Sequence, residues 1–185
     1  QALLDSFKLG NVIKNGVQVA IVGKPNAGKS TLLNALLNEN RALVSDIPGT
    51  TRDTVEEYLN IDGVIYKLID TAGIRSSTED SIEQMGIEKS REKIEAADIV
   101  IALFDINQSS HEQIGQWTHE INADKLILVA NKIDQLKDRS ILNETFMNGV
   151  ISIAAKNQEN IEALKNVLTQ KAVGTGLNKE GTIIT

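Results

Sequence analysis

One eight-residue segment constrains the fold more than any other part of the chain. It reads Gly23-Lys24-Pro25-Asn26-Ala27-Gly28-Lys29-Ser30, follows the mainly apolar run 17–22 and precedes leucines at helical spacing. A glycine-rich turn between a strand and a helix presents backbone N–H groups and a helix N-terminus to phosphates. The segment therefore predicts a P-loop, in which Lys29 reaches the β- and γ-phosphates of a nucleotide and the Ser30 hydroxyl ligates Mg²⁺. The predicted phosphate contacts are Asn26, Ala27, Gly28, Lys29, Ser30 and Thr31.

Strand and helix patterns alternate along the rest of the chain. We predict strands at 17–22, 54–61, 64–69, 98–104, 125–130 and 149–153, and helices from residue 29 and at 81–97, 110–121 and 158–173. Asp62-Gly63, between the second and third strands, is a strong signal for a two-residue hairpin turn. The pattern predicts an α/β fold. Its architecture is the three-layer P-loop NTPase fold, with a mostly parallel, six-stranded, doubly wound sheet and one antiparallel edge strand.

The composition bounds the class of protein. The chain has 185 residues, a formal net charge of −6 and 41% hydrophobic residues, which is typical of one folded domain and excludes a wholly disordered chain. An acidic chain argues against a general nucleic-acid binder, which needs a basic surface. Cysteine is absent, so disulfides and thiolate metal sites are excluded. Apolar runs such as 99–104 are too short to cross a bilayer and no secretory leader pattern is present, so we expect a cytoplasmic protein without membrane attachment.

The domain boundaries follow from the same patterns. We expect residues 16–173 to form the nucleotide-binding domain and the Gly- and Thr-rich tail 174–185 to be a linker. The chain begins with Gln1, so we expect it to be a piece of a longer protein.

A second motif indicates which nucleotide is bound. Asn131-Lys132-Ile133-Asp134 directly follows the apolar strand that ends at Ala130. The Asp134 carboxylate can accept hydrogen bonds from N1–H and the 2-amino group of guanine, whereas adenine offers neither donor. A site built on such bonds can discriminate by about 10⁴-fold or more. Alone, the tetrapeptide also fits a plain strand-to-helix turn, but downstream of a P-loop it indicates GTP as the substrate, with Asn131, Lys132 and Asp134 as contacts.

Two further segments are predicted to sense the γ-phosphate. Asp70-Thr71-Ala72-Gly73 ends a hairpin strand, where Asp70 suits an outer-sphere contact to Mg²⁺ and the Gly73 N–H suits the γ-phosphate. Thr50-Thr51 precedes the hairpin, and a threonine here, assigned to Thr51, can complete the Mg²⁺ shell only while the γ-phosphate is present. Residues 40–53 and 71–86 are therefore candidate switch loops, which GTP orders and hydrolysis releases.

With these motifs the chain resembles the translation-factor-like GTPases and, among them, the G domain of the MnmE (TrmE) family of tRNA-modification GTPases. The resemblance covers about residues 10–172 and is carried by the segments 22–36, 44–53, 70–75 and 83–88. The nucleotide motifs are shared with Era and Der, whereas Glu83-Gln84-Met85-Gly86-Ile87-Glu88 favours MnmE.

The resemblance implies a larger protein around this domain. Residues 1–15 and 174–185 are then stubs of a flanking helical domain. The parent protein would work with an MnmG-like flavoprotein on the wobble uridine of tRNA, and its G domains would form a homodimer in the triphosphate state. This piece would bind GTP and GDP and hydrolyse GTP, without modifying tRNA by itself.

The resemblance also implies how hydrolysis is catalysed. Ile74 follows Gly73, where Ras-like proteins carry a water-orienting glutamine, so other groups must orient the water and offset negative charge. In the MnmE family, Glu83 matches the catalytic glutamate, and a K⁺ ion bound beside the phosphates stabilises the transition state. The positions that match K⁺ ligands are Asn26, Ser45, Ile47 and Thr50. The resemblance implies nucleotide contacts from Ser45, Asp46, Ile47, Pro48, Gly49, Thr50 and Thr51, and from Ala154, Ala155 and Lys156, where the usual Ser-Ala-Lys is replaced.

Alternative interpretations remain open from the sequence. The chain could serve ribosome assembly as an Era- or Der-like GTPase, or act as a GTP-gated binding module with negligible turnover. Glu83 could be an exposed carboxylate at a helix start, which the helix dipole favours. His111-Glu112 begins like a zinc motif, but Gly115 stands where the second histidine would be needed, so no zinc site is predicted.

Overall fold

The computed structural model describes residues 16–40, 57–69, 91–143 and 147–179. The chain order of its strands and helices is β1 (Val17–Val22), α1 (Lys29–Asn40), β2 (Glu57–Ile61), β3 (Val64–Leu68), β4 (Ile99–Asp105), α2 (His111–Thr118), β5 (Leu126–Asn131), β6 (Ile151–Ser152) and α3 (Ile161–Lys179). Residues 91–96 are also helical, and short 3₁₀ turns lie at 133–135, 139–143 and 155–157.

The strands form one six-stranded sheet in the order β2-β3-β1-β4-β5-β6. All neighbouring pairs are parallel except β2 with β3, so the predicted sheet with one antiparallel edge strand is confirmed. The first strand, β1, lies in the interior between β3 and β4. The chain therefore reverses its direction of travel across the sheet at β1, and in open α/β sheets ligands bind beyond the carboxyl ends of strands at such a point.

The hairpin turn between β2 and β3 is confirmed. Asp62 and Gly63 have φ angles of 53° and 83°, the left-handed pair that a type I′ turn requires. The Gly63 N–H donates to the Asn60 side-chain oxygen at 3.0 Å, which closes the turn.

Both faces of the sheet are covered by apolar side chains. Every residue of β4 is buried, as expected of a parallel strand between two layers. On one face, strand residues pack with α1 and α3, including Ile99, Ile101, Leu103, Leu32, Leu36, Leu164 and Leu168. On the other face, a second cluster joins the sheet to the ends of the 91–96 helix and α2, including Ala20, Val100, Ala102, Ala97, Ile121 and Trp117. The three-layer architecture follows from these two clusters.

Several element ends differ from the predicted ones. Helix α3 begins three residues later than predicted because Gln158 and Asn160 adopt left-handed φ angles of 61° and 62°, which a helix cannot contain. It was predicted to end at residue 173 but continues to Lys179, since a glycine such as Gly174 costs a helix only about 1 kcal/mol. Helix α2 ends at Thr118 and not at residue 121. Strand β6 has only two residues, because Gly149, which precedes it, adopts a positive φ angle of 80° that a strand cannot contain.

Other predicted features lie outside the described residues. They are the strand start at 54–56, most of the 81–97 helix, the loops at 41–53 and 71–80, and both chain ends at 1–15 and 180–185. The assignment of 174–185 as a linker stays a prediction. Within the part of the chain that the structure describes, no helix combines the length and apolar character needed to cross a membrane.

Candidate functional site

The loop between β1 and α1 approaches two other strands closely. Asn26 and Gly28 have positive φ angles of 62° and 98°, so the backbone curls before α1 begins at Lys29. A Cβ at Gly23 would collide with the Leu103 carbonyl of β4, and a Cβ at Gly28 would collide with the side-chain amide of Asn131. The glycines of the predicted P-loop are therefore required by close packing, as well as by the curvature of the loop.

The side chain of Lys29 folds back over the residues of the P-loop that immediately precede it. Its ammonium donates hydrogen bonds to the carbonyl oxygens of Gly23 and Lys24, both at 2.9 Å. Burial lowers the pKa of Lys29, and the nearby charge of Lys93 lowers it further. The structure thus holds the ammonium at the mouth of the loop, where it can contact phosphate oxygens.

Asn131, at the carboxyl end of β5, connects the P-loop to the loop after β6. Its Nδ2 donates to the Ala27 carbonyl at 2.9 Å, and its Oδ1 accepts from the Ala155 N–H at 3.1 Å. The residue is 3% exposed, so both bonds are shielded from water. The predicted phosphate-contacting and base-contacting segments therefore lie next to each other, joined through a single amide.

Asp134 lies in the 3₁₀ turn at 133–135, beside the loop that holds Ala154, Ala155 and Lys156. The Ile133 N–H donates to the Ile153 carbonyl at 3.2 Å, which fixes the two loops against each other. The Asp134 carboxylate is partly exposed, and no residue of the described ranges donates a hydrogen bond to it. It is available to accept hydrogen bonds from a base.

A neighbouring ion pair braces this loop region. Both terminal nitrogens of Arg139 donate to Glu159, at 2.8 and 3.2 Å, and this pairing is the main cause of a raised Arg139 pKa. Arg139 is the first residue of the 3₁₀ turn at 139–143, and the Asp134 charge lies close enough to contribute to the raised Arg139 pKa.

One carboxylate of the site was missed by sequence reasoning. Asp105 ends β4, and its Oδ2 accepts a hydrogen bond from the Lys132 ammonium at 2.8 Å. Burial alone would raise the pKa of Asp105, but hydrogen bonds from Lys132 and Asn107 outweigh it and hold that pKa below its usual range. The sequence did contain a signal for it, because Asp105 is an acidic residue at the end of an otherwise apolar strand. Asn131 occupies the equivalent last position of the neighbouring strand β5 and pairs with Asp105.

The remaining predicted site residues lie outside the described residues. They are Ser45, Asp46, Ile47, Pro48, Gly49, Thr50, Thr51, Asp70, Thr71, Ala72, Gly73 and Glu83. Among the residues that are described, no group of three or more His, Cys, Asp or Glu side chains could hold a metal ion. Of the described site residues, Ser30 could offer its hydroxyl to a Mg²⁺ ion beside phosphate oxygens and water, while the other predicted ligand, Thr51, lies outside the described residues.

Comparison with known sequences identifies relatives of the whole chain. A family model described as 50S ribosome-binding GTPase matches residues 18–132. The tRNA modification GTPase MnmE of Cytophaga hutchinsonii is 46% identical over 185 residues, which cover 99% of this chain and 40% of that protein. The resemblance found from the motifs is thereby confirmed, while the chain spans about two fifths of the length of this curated relative.

Solved structures have the same fold. The G domain of the T. maritima FeoB iron transporter is 30% identical with a TM-score of 0.59, covering 85% of this chain and 99% of that one. An Era variant from Aquifex aeolicus, bound to GDP and aluminium fluoride, is 23% identical with a TM-score of 0.58, covering 84% of this chain and 56% of that one. At that identity the Era likeness supports the fold alone. Because the family model covers more than half of the chain, this protein belongs to the 50S ribosome-binding GTPase family and is a GTPase.

Proposed function

We propose that this chain is the GTP-hydrolysing domain of a cytoplasmic tRNA wobble-uridine modification protein, stimulated by K⁺ through dimerisation of its G domains. The observation that carries the nucleotide assignment is the Asn131 amide, which joins the P-loop at Ala27 to the base-side loop at Ala155. The tRNA assignment is supported by the 46% identity to a protein named tRNA modification GTPase MnmE. Action on tRNA and contact with an MnmG-like flavoprotein are proposed for the longer protein that would contain this domain.

Guanine selection is proposed to depend on Asp134. Its carboxylate stands at the turn after β5 and can accept two hydrogen bonds from the guanine edge. Adenine would leave that carboxylate unpaired, and unpaired polar groups in a binding site lower affinity strongly. The hydrogen bond from the Ile133 N–H to the Ile153 carbonyl holds the turn that carries Asp134 next to the 154–156 loop.

The phosphate side is proposed to use the P-loop with Mg²⁺. Lys29 would bind the β- and γ-phosphates from its position across the loop, and Ser30 in the first turn of α1 offers a hydroxyl oxygen of the type that Mg²⁺ prefers. When bound, Mg²⁺ neutralises charge that develops on the phosphate oxygens. Thr51 and Asp70 would complete the surroundings of the Mg²⁺ ion. Residues 45–51 and 70–73 are proposed to provide the remaining contacts with the nucleotide.

A monovalent cation site is proposed beside Asn26. The Asn26 side chain is exposed on the left-handed turn of the loop and forms no hydrogen bond with the described residues, so its amide oxygen is available to a cation. Ser45, Ile47 and Thr50 are the other proposed ligands. A bound K⁺ supplies fixed positive charge near the phosphates, which stabilises negative charge in the transition state.

Glu83 is proposed to orient the attacking water. The proposal depends on the match of Glu83-Gln84-Met85-Gly86-Ile87-Glu88 to the MnmE pattern, together with Ile74 at the position of the Ras-type glutamine. A carboxylate can accept a hydrogen bond from water and so direct the oxygen lone pair toward the γ-phosphate. Dimerisation in the triphosphate state would bring the switch segments into this arrangement.

The test compares GTP turnover of the chain in KCl and in NaCl at equal ionic strength. We expect faster turnover in KCl, loss of the KCl effect in Asn26→Ala, and loss of turnover with retained GDP affinity in Glu83→Ala. Glu112→Ala is the matched control, because Glu112 is a carboxylate in the first turn of α2 with no proposed role. Equal rates in both salts would refute the K⁺ proposal, and absence of turnover in either salt would favour a GTP-gated binding module.

A further inference from the structure

Lys132 has a backbone conformation that needs support from its surroundings. Its φ and ψ angles are 68° and 35°, in the left-handed region, although it is not a glycine. Side chains with a Cβ rarely adopt this region unless neighbouring groups over-determine it, and such residues cluster at functional sites. Lys132 also separates the end of β5 from the turn that carries Asp134, so its conformation determines where that turn points.

Asp105, the last residue of β4, and Asn107, two residues later, bind the side chain and the backbone of Lys132 respectively. Asp105 accepts the ammonium at 2.8 Å, and the exposed fraction of the Asp105 side chain is 7% against 24% for Lys132. Asn107 donates from its Nδ2 to the Lys132 carbonyl oxygen at 3.1 Å. The side-chain charge and the backbone carbonyl of the same lysine are therefore fixed by neighbours two residues apart.

Asn107 also fixes the carboxylate that binds the lysine. The Oδ1 of Asp105 accepts from the Asn107 backbone N–H at 2.9 Å and from its Nδ2 at 3.1 Å, which leaves Oδ2 for the ammonium. The three side chains form a closed network in which both carboxylate oxygens are used. A closed network of this kind holds its members in one arrangement, because moving any of them leaves a shielded charge without its partner.

The register of the sheet explains why this network lies at the nucleotide site. Asp105 pairs with Asn131 across β4 and β5, at the carboxyl edge from which the P-loop also emerges. The Ile106 N–H donates to the Asn131 carbonyl at 3.2 Å, so β4 remains attached to β5 up to Lys132.

We propose that Asp105 and Asn107 are positioning residues for nucleotide binding, which act by holding Lys132. The inference rests on the proposed guanine-nucleotide site and adds the residues that orient one of its contacts. Neither side chain is assigned a contact with the nucleotide. The pair orients the lysine ammonium and the left-handed backbone before the nucleotide arrives, so binding does not have to order them.

The proposal predicts a change in affinity without a change in chemistry. The contact proposed for Lys132 is on the base side of the nucleotide and not with the γ-phosphate, so it should contribute equally to the ground state and the transition state. Asp105→Ala should raise the Kd for GDP and the KM for GTP together, by about tenfold or more, with kcat unchanged. Asp105→Asn keeps an oxygen acceptor without the charge and should have a smaller effect. Asn107→Ala should raise both constants as well.

The matched control is Asp138→Asn. Asp138 forms the same local turn as Asp105, since its Oδ1 accepts from the backbone N–H two residues later, at Ser140, at 2.9 Å. It is exposed, and its other oxygen accepts from the Ser140 hydroxyl and not from a lysine. We expect this variant to bind GDP like the unmodified chain.

A double-mutant cycle distinguishes positioning from a general structural role. Competition with a fluorescent GDP analogue gives the Kd of the full 185-residue chain, of Asp105→Asn, of Lys132→Ala and of the double variant. If Asp105 acts through Lys132, its substitution has no further effect once Lys132 is alanine. An equal loss of affinity in both backgrounds would overturn the proposal, as would unchanged affinity in Asp105→Asn and Asp105→Ala alike. Failure of the unmodified chain to bind GDP would instead refute the proposed function.

Discussion

Substitution of Asn131 by alanine should reduce stability far more than a typical polar substitution. The side chain forms two bonds shielded from water, one to the Ala27 carbonyl and one to the Ala155 N–H. Leaving a buried donor or acceptor without a partner costs about 1–3 kcal/mol per group, so losing both bonds should lower the free energy of unfolding by about 2–6 kcal/mol. For a domain of this size each kcal/mol shifts Tm by about 2–4 °C, and the central expectation is a decrease of about 12 °C.

The effect can be measured by guanidinium unfolding of the nucleotide-free chain. The chain has a single tryptophan, Trp117, whose fluorescence follows the transition, and circular dichroism provides a second probe. Asn122→Ala is the matched control, because Asn122 is exposed and its Oδ1 accepts one backbone bond from Asp124 at 2.8 Å. If Asn131→Ala unfolds within about 0.5 kcal/mol of the unmodified chain, the two bonds do not stabilise the site as argued, since surface substitutions already produce changes of that size.

Three further predictions follow from the same geometry. Asp134→Asn should weaken GTP binding and favour xanthine nucleotides, as measured by competition binding, and an unchanged preference would contradict the base-reading role of Asp134. Gly23→Ala should destabilise the chain and abolish GDP binding, because its Cβ would collide with the Leu103 carbonyl; normal binding in this variant would show that the loop can move aside. Because the folded-state pKa of Asp105 is lowered, its carboxylate contributes stability above its unfolded pKa of about 3.9 and loses it as pH falls through the lower folded value. Unfolding of Asp105→Asn should therefore depend less on pH below about pH 4, and parallel pH profiles would contradict this assignment.

Local patterns in the sequence predicted the local structure well. The P-loop lies between β1 and α1, and the Asp62-Gly63 turn has the expected left-handed pair, because such segments are determined by their own glycines and neighbours. Strand β4 was predicted within one residue because its continuous apolar run leaves no other interpretation.

Contacts between distant segments could not be predicted in the same way. The bonds of Asn131 and the pairing of Asp105 with Lys132 depend on strand order and register, which no local pattern contains. The predicted start of α3 was wrong for a related reason. The left-handed residues Gln158 and Asn160, which precede α3, belong to the base-side loop, and tertiary contacts such as the bond from Asn160 to the Ser152 carbonyl at 2.8 Å fix that loop.

The bond between Asn131 and Ala27 spans 104 residues, and this separation has a consequence for synthesis of the protein. During translation the P-loop is synthesised early, but Asn131, which binds it, is synthesised only after more than half of the domain. At about 5–20 residues per second, synthesis of the intervening 104 residues takes about 5–20 seconds. Before residue 155 has been synthesised, the Ala155 N–H that binds the Asn131 side-chain oxygen is also missing, so we expect the site to become able to bind nucleotide only late in the translation of this segment.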